Sequence, residues 1–178
     1  MPASYTVKKK GEASMTDVLG MNVKTSEREI VFTRTFDAPR QMVWDAWTKK
    51  EHLLKWWGPH QFTNSKCSIE LRPGGKFLIT MNGPDGKEYP CHFVFDEILP
   101  IEKLVWTEKI VESDVWGEAG PPPESKMTML LEDAGSKTKM TIISRFSSNA
   151  DRDKILAMGA AEGWAQSFER LELLLTKK

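Results

Sequence analysis

Between residues 29 and 146 apolar residues recur at every second position in short segments, each closed by a cluster of Gly, Pro or Asp. A period of two marks a strand with one face buried and one in water. Glu29 to Phe36 puts Ile30, Phe32 and Phe36 on one side and Thr33 and Thr35 on the other. Six further segments follow: Phe62 to Leu71, Lys76 to Met81, Tyr89 to Ile98, one beginning with Leu104 and Trp106, one with Met127, Met129 and Leu131 in phase, and Lys137 to Phe146. Turns such as Arg72-Pro73-Gly74-Gly75 and Gly83-Pro84-Asp85-Gly86 join neighbours, so pairing is antiparallel. A sheet of this kind has an apolar face to cover. The one element long enough to cover it runs from about Asn149 or Ala150 to Leu175, opened by a Ser148-x-x-Asp151 capping box, with Ala157, Ala161, Trp164, Phe168, Leu171 and Leu175 as its stripe.

Two short helices interrupt the strands. Pro39 starts one that runs to about Trp47, since proline suits a first helical turn and keeps the residue before it extended. Thr48 and Glu51 read as the capping box of a second, ended by Gly58-Pro59 after the adjacent Trp56 and Trp57. The expected fold is therefore α+β, a seven-stranded antiparallel sheet with two short helices after strand one and a long C-terminal helix. Residues 1 to 27 lack periodicity and read as an N-terminal tail or extension, leaving one domain over residues 28 to 176.

Lys plus Arg number 25 and Asp plus Glu number 25, so no net field favours nucleic acid or an anionic lipid surface. No apolar run approaches a bilayer span and Met1 to Lys10 lacks the apolar core of a secretion signal, which points to the cytoplasm. Cys67 and Cys91 suit buried thiols in a reducing compartment and form no C-x-x-C pair. His52, His60 and His92 stand in no metal-ligand array, and the glycine clusters sit between strands rather than before a helix that could cradle phosphate. No metal and no cofactor are expected.

Arg34 and Glu108 share strand parity with core residues, and a charge on a core face must find a partner or water. Either they reach solvent at strand ends or they are polar anchors in a cavity. Phe77, Ile79, Phe93, Phe95, Trp106, Met127 and Met129 share the inward phases, facing Trp164 and Phe168; they form a plain core or line a binding cavity. Gly159 and Gly163 favour space or close approach beside that helix, because glycine within a helix costs about 1 kcal/mol relative to alanine. The Gly- and Pro-rich connection 111–123, with Trp116, is either a lid or a surface loop.

The segments TRTFDAP (33–39), VWDAWT (43–48), LLKWWGP (53–59), LRPGGKF (71–77), EILPIEKLVWTE (97–108) and GAAEGWAQSFERLELLL (159–175) resemble prokaryotic homologues of the C-terminal domain of the heat-shock-protein-ninety ATPase activator, AHSA-like members of the START or Bet v-like (SRPBCC) superfamily. The resemblance implies a helix-grip fold, its curved sheet wrapped around the C-terminal helix, with an apolar cavity between them. It implies that one of Trp56 and Trp57 caps the cavity while the other packs between the short helices. The ligand-cavity set is then Arg34, Trp57, Phe77, Ile79, Phe93, Phe95, Trp106, Glu108, Met127, Met129, Trp164 and Phe168. The expected function is binding of a largely apolar small molecule, lipid, aromatic or polyketide-like. A cyclase or aromatase using Arg34, Glu108, His92 or Tyr89 is the first alternative, and a chaperone ATPase activator-like module the second. Whether chains pair as a homodimer stays open at this point.

Overall fold

The structure is a computed structural model and describes residues 14–177. Nine strands form one antiparallel sheet: β1 Ser14–Val18, β2 Met21–Ser26, β3 Glu29–Phe36, β4 Thr63–Ile69, β5 Lys76–Asn82, β6 Glu88–Leu99, β7 Lys103–Lys109, β8 Ser125–Ala134 and β9 Lys137–Phe146. Their order is β1-β2-β3-β9-β8-β7-β6-β5-β4. Helices α1 Arg40–Thr48 and α2 Lys50–Trp56 follow β3, and α3 Asn149–Ala157 and α4 Ala160–Thr176 follow β9. Among the described residues no helix is long and apolar enough to cross a membrane.

The sheet therefore exceeds the seven expected strands by the β1–β2 hairpin, built from residues read as a tail; residues 1–13 lie outside the described part. Its pattern is short and polar, and among the side chains described Met21 and Val23 are the buried ones, so the hairpin's stability comes from pairing with β3, where Val23 stands opposite Phe32. The C-terminal helix differs too. Gly159 adopts φ +84, a left-handed conformation that interrupts the helix, so α3 and α4 are separate and Ala157 is exposed rather than in the stripe. The Ser148 hydroxyl does accept the Asp151 N–H at 3.1 Å and caps α3. Thr48 caps nothing: it ends α1, its hydroxyl donates to the Trp44 carbonyl at 2.8 Å, and extended Lys49 separates the two helices.

One face of the sheet carries Ile30, Phe32, Phe36, Phe77, Ile79, Phe93, Phe95, Trp106, Met129 and Ile142, all buried, and α4 lies on it through Ala161, Ala165, Phe168 and Leu171. Phe36 and Phe168 meet edge to face at 6.2 Å. Trp47 of α1 is the hub, with ring centroids 4.9 Å from Trp56, 5.9 Å from Trp57, 5.6 Å from Trp106 and 6.2 Å from Trp164. Trp56 is fully buried between the short helices, its indole N–H donating to Ala46 O at 2.8 Å.

The bend after α2 is fixed from two sides. Gly58 has φ +97, and a Cβ there would lie 2.9 Å from the Met81 sulfur. Arg170 of α4 donates to the carbonyls of Trp57 (3.1 Å), Gly58 (2.9 Å) and Pro59 (3.1 Å) through Nη1 and of Lys55 (3.0 Å) through Nη2. Asn64 adds a second donor to Trp57 O at 2.7 Å. A helix C-terminus leaves carbonyls without intrahelical partners, and one planar guanidinium supplies several donors at once. Replacing Arg170 by Met is expected to lower the unfolding free energy by about 3 kcal/mol, because the Gly58 and Lys55 carbonyls lose their donor and an unpaired part-buried carbonyl costs about 1–3 kcal/mol. Urea denaturation measures this, with Arg170→Lys falling between the two.

Candidate functional site

The tryptophan after that bend faces inward. Trp57 meets Phe77, Phe93 and Trp164 edge to face, at 5.3, 5.6 and 5.4 Å. Beside it lies a cavity of about 170 Å³ between the sheet and α4. Two rows of cross-strand neighbours make its floor. Phe93, Glu108, Ser125 and Phe146 stand side by side on β6, β7, β8 and β9. Met127 and Ser144 stand together in the next row, with Ile30 opposite Ser144. Over them lie Ala160, Gly163, Trp164 and Ser167 of α4, Ile155 of α3, Pro59 and Pro122. Lys154 donates to Pro121 O at 3.0 Å and holds that connection against α3.

Glu108 is the one carboxyl among the lining residues. Burial pushes its pKa up to about 7 from an ordinary 4.5, partly offset by the Ser125 hydroxyl, which donates to it. Desolvation penalises a carboxylate, and a hydrogen bond to the charged form opposes that. Cys91 also lines the cavity; burial and then the Glu108 carboxylate push its thiol up, while the Trp57 indole N–H donates to the sulfur. A thiol held protonated is a poor nucleophile, so Glu108 is the group here that exchanges a proton near neutral pH.

The family model for Activator of Hsp90 ATPase homolog 1-like protein matches residues 37–176. The chain belongs to this family. A Nitrosomonas europaea protein of known structure is similar at 30% identity, over 83% of this chain and 93% of its own, with a TM-score of 0.73. An Arthrobacter aurescens protein is 27% identical, with 93% of this chain and 92% of that one covered and a TM-score of 0.76. Protein Ms6760 of Mycobacterium smegmatis, at 24% identity and TM-score 0.77 over 92% of this chain and 98% of its own, shares the fold. No curated protein matched. The nine-stranded sheet and C-terminal helix of this activator-like chain agree with a helix-grip fold in all but strand number.

Of the residues proposed for the cavity, Trp57, Phe93, Glu108, Met127 and Trp164 line it. Phe77, Ile79, Phe95, Trp106, Met129 and Phe168 share the inward face but are packed into the core around it, where large residues of sheet and helix meet. Arg34 lies elsewhere: it pairs with Glu172 of α4, donates to Leu19 O at 3.0 Å and sits 5.6 Å from the Phe36 ring centroid, tying the β1–β2 turn to α4. Tyr89 and His92 are not lining residues either. Tyr89 donates to Asp85 at 2.6 Å and packs on Trp116 at 5.6 Å, and His92 is exposed on the far side of the sheet. Trp116 thus docks on a hairpin rather than on the cavity, and the 111–123 connection reaches the cavity through Pro122.

The lining residues that sequence reasoning did not propose include Ser125, Ser144 and Ser167. Their signal is small size at inward positions, readable only once the register is known.

The raised Glu108 pKa sets a pH dependence. Between about pH 4.5 and pH 7 the folded chain keeps a proton that the unfolded chain has lost, so stability falls as pH rises through that window, by at most about 1.4 kcal/mol per pH unit. In Glu108→Gln this fall is expected to disappear, leaving the variant more stable than wild type at pH 8 and the two similar near pH 4.5. Urea titrations at several pH values test it; parallel profiles for the two proteins would refute the assignment.

Proposed function

We propose that this activator-like protein binds a small, largely apolar molecule with one polar group in the cavity between its sheet and α4. The observation that carries the reading is a polar pair, Glu108 and Ser125, on the floor of a cavity otherwise walled by Trp57, Phe93, Met127, Phe146 and Trp164. Apolar walls with a few placed polar groups are what ligand sites use, area for affinity and polarity for orientation. Methionines at 81 and 127 adapt to irregular contents.

Size narrows the ligand. Drug-sized molecules occupy roughly 300–1,000 Å³, whereas an apolar cavity of roughly 150 Å³ holds benzene. The volume of about 170 Å³ therefore suits one aromatic ring with a short substituent, and a sterol, long-chain lipid or extended polyketide would extend beyond it.

A second reading, an enzyme using Glu108 as general acid or base, is favoured by its pKa of about 7, close to the working pH at which proton transfer is most effective. The chaperone contact suggested by the family name is carried here by the family alone.

Titration with one-ring compounds, followed by tryptophan emission, tests binding, since Trp57 and Trp164 both line the cavity. Saturable quenching is expected from wild type. It should weaken at least tenfold in Gly163→Leu, which fills the cavity at a site where a Cβ meets only Pro59 at 3.7 Å. Equal quenching of both proteins would end the cavity reading.

A further inference from the structure

We propose that the cavity selects a small organic cation, a one-ring amine, over neutral or acidic molecules of the same shape, and that Glu108 is the residue that selects it. This rests on the cavity being a ligand site and adds the charge of what enters it.

Among the described residues that line the cavity, Glu108 is the one acidic side chain and there is no Lys, Arg or His. An acidic ligand would bring a second negative group beside Glu108 with no cation to offset either, and burying unpaired charge is strongly unfavourable. A neutral ligand would leave Glu108 to be buried protonated or unpaired. An ammonium supplies the missing partner, and a buried charge becomes tolerable when it is paired and hydrogen-bonded. Its N–H groups find acceptors in the Glu108 carboxylate and in the hydroxyl of Ser125 opposite it, which donates to Glu108. Three rings line the same cavity: Trp57 lies 5.6 Å from Phe93 and 5.4 Å from Trp164. Aromatic faces attract cations, the more so when water is excluded.

Several other charged groups on the surrounding elements are engaged elsewhere. Lys109 of β7 pairs with Glu124, Arg145 of β9 with Glu29, and His60 with Glu169 of α4. Lys154 of α3 donates to Pro121 O. His92 of β6 and Lys126 of β8 alternate with cavity-lining neighbours and are exposed on the opposite face. Cys91, the other titratable lining group, stays protonated.

Three probes of one shape separate the alternatives: phenethylamine, phenethyl alcohol and phenylacetate, added to the full chain and followed by the methyl resonances of Met81 and Met127, which line the cavity. At pH 8 the amine is expected to bind at least ten times more tightly than the alcohol, with phenylacetate weakest. Below pH 7 the amine remains charged while Glu108 takes up a proton, so its affinity should fall by about tenfold per pH unit, with the alcohol nearly constant. Glu108→Gln should bring the amine to within about twofold of the alcohol. The proposal is overturned if the alcohol or the acid matches the amine in wild type, or if the amine preference survives in the Gln variant. Shifts at Met81 and Met127 with the alcohol alone would leave the cavity reading standing and remove this one; no shift with any probe would remove both.

Discussion

The grip of Arg170 on the end of α2 determines where the aromatic wall stands. Four carbonyls around the Trp57-Gly58-Pro59 bend converge on one guanidinium from α4. An ammonium has three donors on one atom, whereas the guanidinium spreads its donors over a fork that serves all four. The consequence is geometric: the bend is tied to the same helix that roofs the cavity, so Trp57 and Trp164 keep a fixed separation of 5.4 Å between ring centroids. Gly58 is required at the same place, since its backbone is left-handed and Met81 occupies the space a side chain would need. Two adjacent tryptophans are then divided by the bend, Trp56 packed between the short helices and Trp57 turned toward the sheet.

Against this rigid frame, Glu108 is a local weakness. Its position on β7 between Phe93 and Ser125 would be more stably filled by an apolar residue, since a lone buried carboxyl carries a desolvation cost at neutral pH. Other charges inside or near the core are compensated within the chain: Arg34 by Glu172 and a carbonyl, Arg170 by carbonyls alone. Among the described residues Glu108 has a serine and no cation. A chain that solves this problem elsewhere and leaves it open at the cavity floor carries a feature that packing does not explain, which is the usual relation between strain and function.

Most of the architecture was legible because the period-two pattern is strong where one face is buried: β3 spans Glu29–Phe36 and β9 spans Lys137–Phe146, as the alternation required. The β1–β2 hairpin was not legible, since its strands hold through pairing to β3, a long-range effect with no local signal. Thr48 illustrates another limit. The spacing to Glu51 satisfies a capping box, but the hydroxyl is consumed one turn back by Trp44, a competition that side chains of this kind always face. Parity correctly placed Glu108 and Arg34 on the inner face, yet parity says nothing of position along the sheet, and that coordinate puts one at the cavity and the other at the α4 ion pair.

That same coordinate explains why there is a cavity at all. Protein interiors are close-packed, so a void needs small residues facing small residues. Toward Phe36, large side chains oppose large ones: Phe36 meets Phe168, and the space is filled. Three and four inward-facing rows from Phe36 the sheet presents Ser144 and Ser125, while α4 presents Ala160, Gly163 and Ser167. Neither set alone would leave room, because a leucine on either side could reach across. The void is thus written in side-chain size on two elements distant in sequence, whereas the fold itself is written in periodicity. The two signals vary independently, so a relative of this chain could keep the same sheet, helices and Arg170 clamp with a filled core, or open the space further by shrinking Met127 or Phe146. What the cavity accepts is set by these few inward positions, and Glu108 gives them a charge preference that size alone does not.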